Sequence, residues 1–132
     1  MDKITVAVPC YNEEPVLELF FKEITAVAAK MPQAEFEFLF IDDGSRDGTL
    51  PKILELSDRD SRVKYISFSR NFGKEAGIYA GLENASGDYV VIMDADLQDP
   101  PALLPEMYRA VTEEGYDCVG SRRVTRKGEP PI

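Results

Sequence analysis

A chain of 132 residues suits one domain with a hydrophobic core and is short for two. Its formal net charge of -9 and its lack of histidine exclude a general nucleic-acid binder, because phosphate backbones need a clustered cationic surface to release counterions. Cys10 and Cys118 each lie among strand-like apolar residues, which implies buried reduced thiols and a cytosolic compartment. Signal-peptide features and an apolar run of the roughly 20 residues needed to span a bilayer are both lacking, so a soluble chain is expected.

Residues 4–8 form a short β-branched apolar run closed by Pro9, the pattern of a buried strand. Over 13–30, Val16, Leu17, Phe20, Ile24, Val27 and Ala28 recur at helical spacing; Asn12 is available as the cap, and Pro15 is tolerable in the first turn. Phe36, Phe38 and Phe40 alternate with Glu37, Leu39 and Ile41 as in a strand, which Asp42-Asp43-Gly44-Ser45 stops. Thr49 can cap a second helix to about residue 56. Residues 63–68 read as a third strand and 74–84 as a third helix, with Gly87 as its exit. Residues 89–93 predict a fourth, central parallel strand ending at Asp94-Ala95-Asp96. A fourth helix from near Pro101 to about 114 carries Leu103, Leu104, Met107 and Val111, and 117–120 predict a fifth strand.

This alternation predicts an α/β fold with a doubly wound, mostly parallel sheet, whose ligands bind in the crevice beyond the carboxyl ends of the strands. Both acidic clusters fall on that rim. The domain is expected over 1–123, with 124–132 a basic tail.

Asp94, Asp96 and Gln98 are spaced two apart, so an extended chain projects two carboxylates and an amide oxygen to one side. Hard oxygens of this kind suit Mg2+ or Mn2+ together with a diphosphate. The plain alternative is a solvated acidic turn, but the end of a buried strand at the binding rim favours a cation site. An EF-hand does not fit, since Asp99 and Pro105 stand where its loop needs Gly and Glu.

Asp43, ahead of Asp42, is the candidate to accept hydrogen bonds from a base or ribose, with turn formation as the alternative; Asp47 reads as part of a turn at a helix start. Arg70, Asn71, Phe72, Gly73 and Lys74 bring cations and helix-start amides to the same rim, either for phosphate and base contacts or for an ion pair with a nearby Asp. Gly73, Gly77 and Gly81 share a helix face and imply close packing on the sheet. Arg122 follows the last strand, where it either grips a phosphate or is a solvated tail charge.

Taken together, Pro9-Cys10-Tyr11-Asn12-Glu13, Asp42-Asp43-Gly44-Ser45, Asn71-Phe72-Gly73-Lys74 and Asp94-Ala95-Asp96 resemble the family 2 glycosyltransferases of the A-type, nucleotide-diphospho-sugar transferase fold over residues 4–123. The continuation Leu97-Gln98-Asp99-Pro100-Pro101 is similar to that of bactoprenyl-phosphate glucosyltransferases and dolichyl-phosphate mannose synthases. The resemblance implies that Pro9, Tyr11, Glu13 and Asp43 hold the nucleoside and that Ile41 lines the base pocket, with Asp42, Lys74 and Ala95 also among the donor contacts. It implies Asp94 near ribose and metal, Asp96 and Gln98 as metal ligands, and Asp96 and Arg122 as the catalytic pair, Arg122 facing the diphosphate.

The implied reaction is inverting, Mg2+- or Mn2+-dependent sugar transfer from a UDP- or GDP-linked donor to polyprenyl phosphate, or alternatively to a saccharide hydroxyl. Family members continue with an acceptor-binding segment and often membrane helices, so this chain reads as the N-terminal portion of an enzyme working at the cytoplasmic face of a membrane. Membrane contact is then expected only through the segment beyond it. Two readings come from other classes: a nucleotide-sugar-binding module without catalysis, and a phosphohydrolase of the haloacid dehalogenase type. Asp47-Gly48-Thr49-Leu50 suggests the second, but Ser45 occupies its nucleophile position.

Overall fold

The computed structural model describes residues 1–97 and 100–113. Gln98, the expected fifth strand at 117–120, Cys118, Arg122 and the tail at 124–132 lie outside them. Four parallel strands, β1 (Asp2–Cys10), β2 (Ala34–Asp42), β3 (Val63–Ser67) and β4 (Tyr89–Ile92), form one sheet in the order β3-β2-β1-β4. Helices α1 (Glu14–Ala29), α2 (Thr49–Arg59) and α3 (Lys74–Asn84) alternate with them; a 3-10 turn (Pro101–Leu103) leads into α4 (Leu104–Glu113).

Both side-chain rows of β1 and β2 are largely apolar, as in strands covered on both sides. Ile4, Val6 and Val8 lie in register with Phe36, Phe38 and Phe40, and this row packs in one cluster with Leu17, Phe20 and Ile24 of α1 and Ile53 and Leu56 of α2. Phe20 meets Phe40 edge to face at 6.2 Å, and Phe21 meets Phe38 at 6.0 Å. On the opposite face, Ala7, Leu39 and Ile41 form a second cluster with Ala80 of α3. There the helix approaches through glycines: a Cβ on Gly81 would lie 3.1 Å from that of Ala7, and one on Gly77 3.5 Å from that of Pro9. The sheet is therefore doubly wound. Gly77 and Gly81 are packing residues, whereas a Cβ on Gly73 would meet nothing.

Among the described residues β4 pairs with β1, and Val90 is 37% exposed. The fifth strand expected after it lies outside the described residues. Both expected helix caps are replaced. Glu13 and Gly48 precede α1 and α2 without side-chain caps, while Asn12 Oδ1 accepts from the Arg46 amide at 2.8 Å and Thr49 Oγ1 accepts from the Glu13 amide at 2.8 Å. Contacts between the two loops have taken the oxygens that local capping would use.

At the other end of the sheet Glu37 is only 7% exposed yet carries a carboxylate. The Thr5 hydroxyl donates to it at 2.8 Å, and Ser86 donates through its amide at 3.1 Å and its hydroxyl at 2.8 Å. Burial alone would raise this carboxyl, but the Ser86 and Thr5 bonds and the nearby Lys3 charge outweigh it and hold it below its ordinary value of 4.5. A depressed folded value means that the stabilisation is present above 4.5 and is lost as pH falls through the folded value. Glu37→Gln should therefore cost about 1.5–3 kcal/mol at pH 7 in urea denaturation, and the gap to wild type should close in acid. A gap independent of pH would show that the charge is not what stabilises the site.

Candidate functional site

The carboxyl ends of β1, β2 and β4 open onto a cleft of about 460 Å³. Pro9, Cys10, Tyr11 and Glu13 line it from the β1–α1 connection, Asp43 from the end of β2, and Asp94 and Asp96 from beyond β4. Asn71, Gly73, Lys74 and Gly77 supply the remaining wall at the start of α3.

The two loops beside β1 and β2 are tied together, which sets Tyr11 and Glu13 against Asp43. The Asp43 amide donates to the Cys10 carbonyl at 2.9 Å, and the Asn12 amide donates to Ser45 Oγ at 2.9 Å. Asn12 accepts the positive φ of 53° that this path needs, as asparagine does more readily than most residues. Asp47 takes the turn role expected of it: its carboxylate accepts from the Thr49 amide and hydroxyl at the start of α2.

Of the expected donor contacts, Pro9, Tyr11, Glu13, Asp43, Lys74, Asp94 and Asp96 reach the cleft wall. Three do not. Ile41 is buried beneath α3, where its side chain fills the space left by Gly77 and Gly81. Asp42 is buried as the last residue of β2, with Oδ1 accepting from the Ser45 amide at 3.2 Å. Ala95 is fully buried in the α1-side core. The last result also revises the extended geometry expected for 94–98: the chain turns at Ala95 and Asp96, and Leu97 adopts a φ of 65°. Asp94 and Asp96 still share the cleft, because the buried methyl of Ala95 anchors the turn between them.

Of the two expectations for Lys74, the structure shows the ion pair. It lines the cleft, and its ammonium bridges the Asp94 carboxylate at 2.9 Å to Oδ1 and 3.1 Å to Oδ2. The Arg70 guanidinium instead stacks 4.4 Å from the centroid of the Phe72 ring. Cys10 was legible only as a buried thiol, since nothing in its local sequence marks it as a wall of the cleft. Burial, followed by the charges of Glu13, Asp42 and Asp94, pushes the Cys10 thiol well up.

Negative charge is crowded here. Burial first, then Asp96, Asp94 and Asp47, raises the Glu13 carboxyl, and only Lys74 opposes them. Among the described residues no three His, Cys, Asp or Glu side chains form a metal cluster. Asp94 and Asp96 nonetheless fit Mg2+ or Mn2+, which are commonly held by one or two carboxylates with water and substrate phosphates completing the shell. No helix among the described residues is long and apolar enough to cross a membrane.

Comparison with known proteins gives this cleft its context. The model of the family described as "Glycosyl transferase family 2" matches residues 5–131. The bactoprenol glucosyl transferase of Shigella phage SfV is 41% identical over 94% of the chain and 40% of its own length. The undecaprenyl-phosphate 4-deoxy-4-formamido-L-arabinose transferase of Proteus mirabilis is 40% identical over 96% of the chain and 39% of its own. The chain thus spans about two fifths of these curated relatives. Among solved structures, the mannosyltransferase PcManGT of Pyrobaculum calidifontis, in complex with GDP-Man and Mn2+, superposes with a TM-score of 0.74 at 25% identity, over 90% of this chain and 34% of that one.

Proposed function

The chain belongs to glycosyl transferase family 2, and from that premise we infer that it is the donor-binding part of an inverting, metal-dependent transferase that moves a sugar from a UDP- or GDP-linked donor to polyprenyl phosphate. The observation that carries this reading is the cleft, where Glu13, Asp94 and Asp96 converge opposite Lys74 at the carboxyl end of a parallel sheet. Two relatives named for sugar transfer to bactoprenol or undecaprenyl phosphate support the acceptor class, and the GDP-Man and Mn2+ complex supports donor and cation.

In this reading Tyr11, Pro9 and Asp43 hold the nucleoside, and Asp94 and Asp96, with Gln98 from outside the described residues, hold the cation. When bound, the cation stabilises the charge that develops on the departing nucleoside diphosphate. Lys74 stands at the same phosphates and exchanges its Asp94 partner for them. Arg122, which lies beyond the described residues, keeps the diphosphate and acceptor-phosphate role that the family resemblance implies. The acceptor oxygen attacks the anomeric carbon as the diphosphate leaves, which inverts that centre. A phosphate acceptor is already ionised near neutral pH, so no strong general base is required. Polyprenyl phosphate resides in a bilayer, so in this reading the reaction takes place at a membrane face, proposed to be the cytoplasmic one. The donor unit is proposed to span 1–123, of which 114–123 lie outside the described residues, as do 124–132.

A thermal-shift panel of nucleoside diphosphates with and without Mn2+ tests the reading. A ligand at about 100 times its Kd stabilises by about 2.7 kcal/mol, a rise on the order of 10 °C in Tm for a domain of this size. The rise should require Mn2+ and should select UDP or GDP. A flat panel would remove the donor-site assignment.

A further inference from the structure

The acidic pair at the end of β2 does more than a base contact requires. Asp43 is 4% exposed, and both of its oxygens are engaged: Oδ1 accepts from the Phe72 amide at 2.7 Å and Oδ2 from the Gly73 amide at 3.0 Å. These are charge-assisted bonds to two successive amides, so they fix both the height and the rotation of the segment they grip. Gly44, the next residue, reinforces the grip by contact. It has a φ of +70°, and a Cβ there would lie 2.3 Å from the Arg70 carbonyl carbon and 2.4 Å from the Asn71 nitrogen. No side chain could stand between these backbones. The loop after β2 and the loop before α3 are therefore docked main chain to main chain.

The gripped segment leads straight to the phosphate side of the cleft. Gly73, with a φ of +103°, turns the chain into α3, and the first residue of that helix is Lys74, whose ammonium bridges Asp94. We infer that Asp43 and Gly44 are positioning residues for the donor diphosphate: by seating Arg70 to Gly73 they set where Lys74 stands relative to Asp94. The inference rests on the donor-site reading above and extends it. A carboxylate has about four lone-pair sites, and two remain for a base N–H while the amides are held. One side chain then couples the nucleoside end of the cleft to its phosphate end, and the segment is ordered before the donor arrives.

The test compares wild type with Asp43→Asn and Gly44→Ala by hydrogen exchange and by binding of inorganic pyrophosphate with Mn2+ and of the free nucleoside matching the preferred diphosphate. An asparagine offers one acceptor oxygen, so one of the two amides loses its partner. Gly44→Ala leaves the carboxylate in place but forces residues 70 and 71 to move. In both variants the Phe72 and Gly73 amides should exchange about tenfold faster or more, with β1 amides unchanged, and pyrophosphate should bind about tenfold more weakly. Gly44→Ala should keep its affinity for the nucleoside, which a general loss of structure would not spare. Wild-type exchange at Phe72 and Gly73, or undiminished pyrophosphate affinity in both variants, overturns the inference. If wild type binds neither pyrophosphate nor any nucleoside diphosphate, the donor-site reading fails instead, and the exchange rates still decide whether the segment is gripped.

Discussion

On the proposed function, Asp96→Asn in the full-length protein should lower the rate of sugar transfer by about a thousandfold, because metal stabilisation of a leaving group contributes several kcal/mol and each 1.36 kcal/mol is tenfold in rate. The side chain stays nearly the same size while one of the two carboxylates proposed to hold the cation is lost, so the fold should persist. Asp96 lines the cleft beside Asp94 and helps to raise the Glu13 carboxyl, which locates its charge at the crowded end of the site. The variant should melt at a temperature close to that of wild type without ligand. With nucleoside diphosphate, it should lose the additional stabilisation that Mn2+ brings. Transfer by the full-length protein is read as labelled sugar appearing on the proposed polyprenyl-phosphate acceptor. A variant that keeps its Mn2+ response would place the cation elsewhere, and one that keeps full transfer as well would remove Asp96 from the mechanism.

Phe40→Ala should do the opposite, costing stability and sparing ligand response. Phe40 is fully buried, lies in register with Val8, and meets Phe20 edge to face across the interface of sheet and α1. Truncating a buried phenylalanine typically costs about 3–5 kcal/mol, a large share of the 5–15 kcal/mol that holds a domain together. The melting temperature should fall by about 10 °C or more, and urea unfolding should move to a lower midpoint. Phe40 points away from the α3 side, so the surviving folded molecules should keep the Mn2+-dependent shift given by a nucleoside diphosphate. If that shift disappears while the protein is still folded, packing at the end of β2 controls the cleft more tightly than the contacts of Asp43 indicate.

The contrast between these variants follows how the site is built. Asp43 and Asp96 belong to loops that begin where β2 and β4 stop. Strand periodicity located those ends well, and it found the limits of α3 to the residue because Gly73 and Lys74 mark its start. The cation-ligand spacing was read from an extended chain, whereas Asp94 and Asp96 reach the same cleft through a turn anchored by buried Ala95. Asp42 and Asp43 are neighbours in sequence and both are buried, yet only Asp43 touches the cleft, since successive residues at the end of a strand project to opposite sides. Nothing local announced that the carboxylate of Asp43 would be gripping amides 29 and 30 residues away.

The order of the described strands and helices and the rim on which the acidic residues stand were determined by the sequence alone, through apolar periodicity and turn chemistry, which act over a few residues. The tertiary structure alone decided that Asn12 and Thr49 tie loops together instead of capping helices, and that Asp43 and Gly44 seat the segment leading to Lys74. These outcomes depend on which distant backbone groups compete for the same oxygen or the same space, and no local pattern encodes that competition.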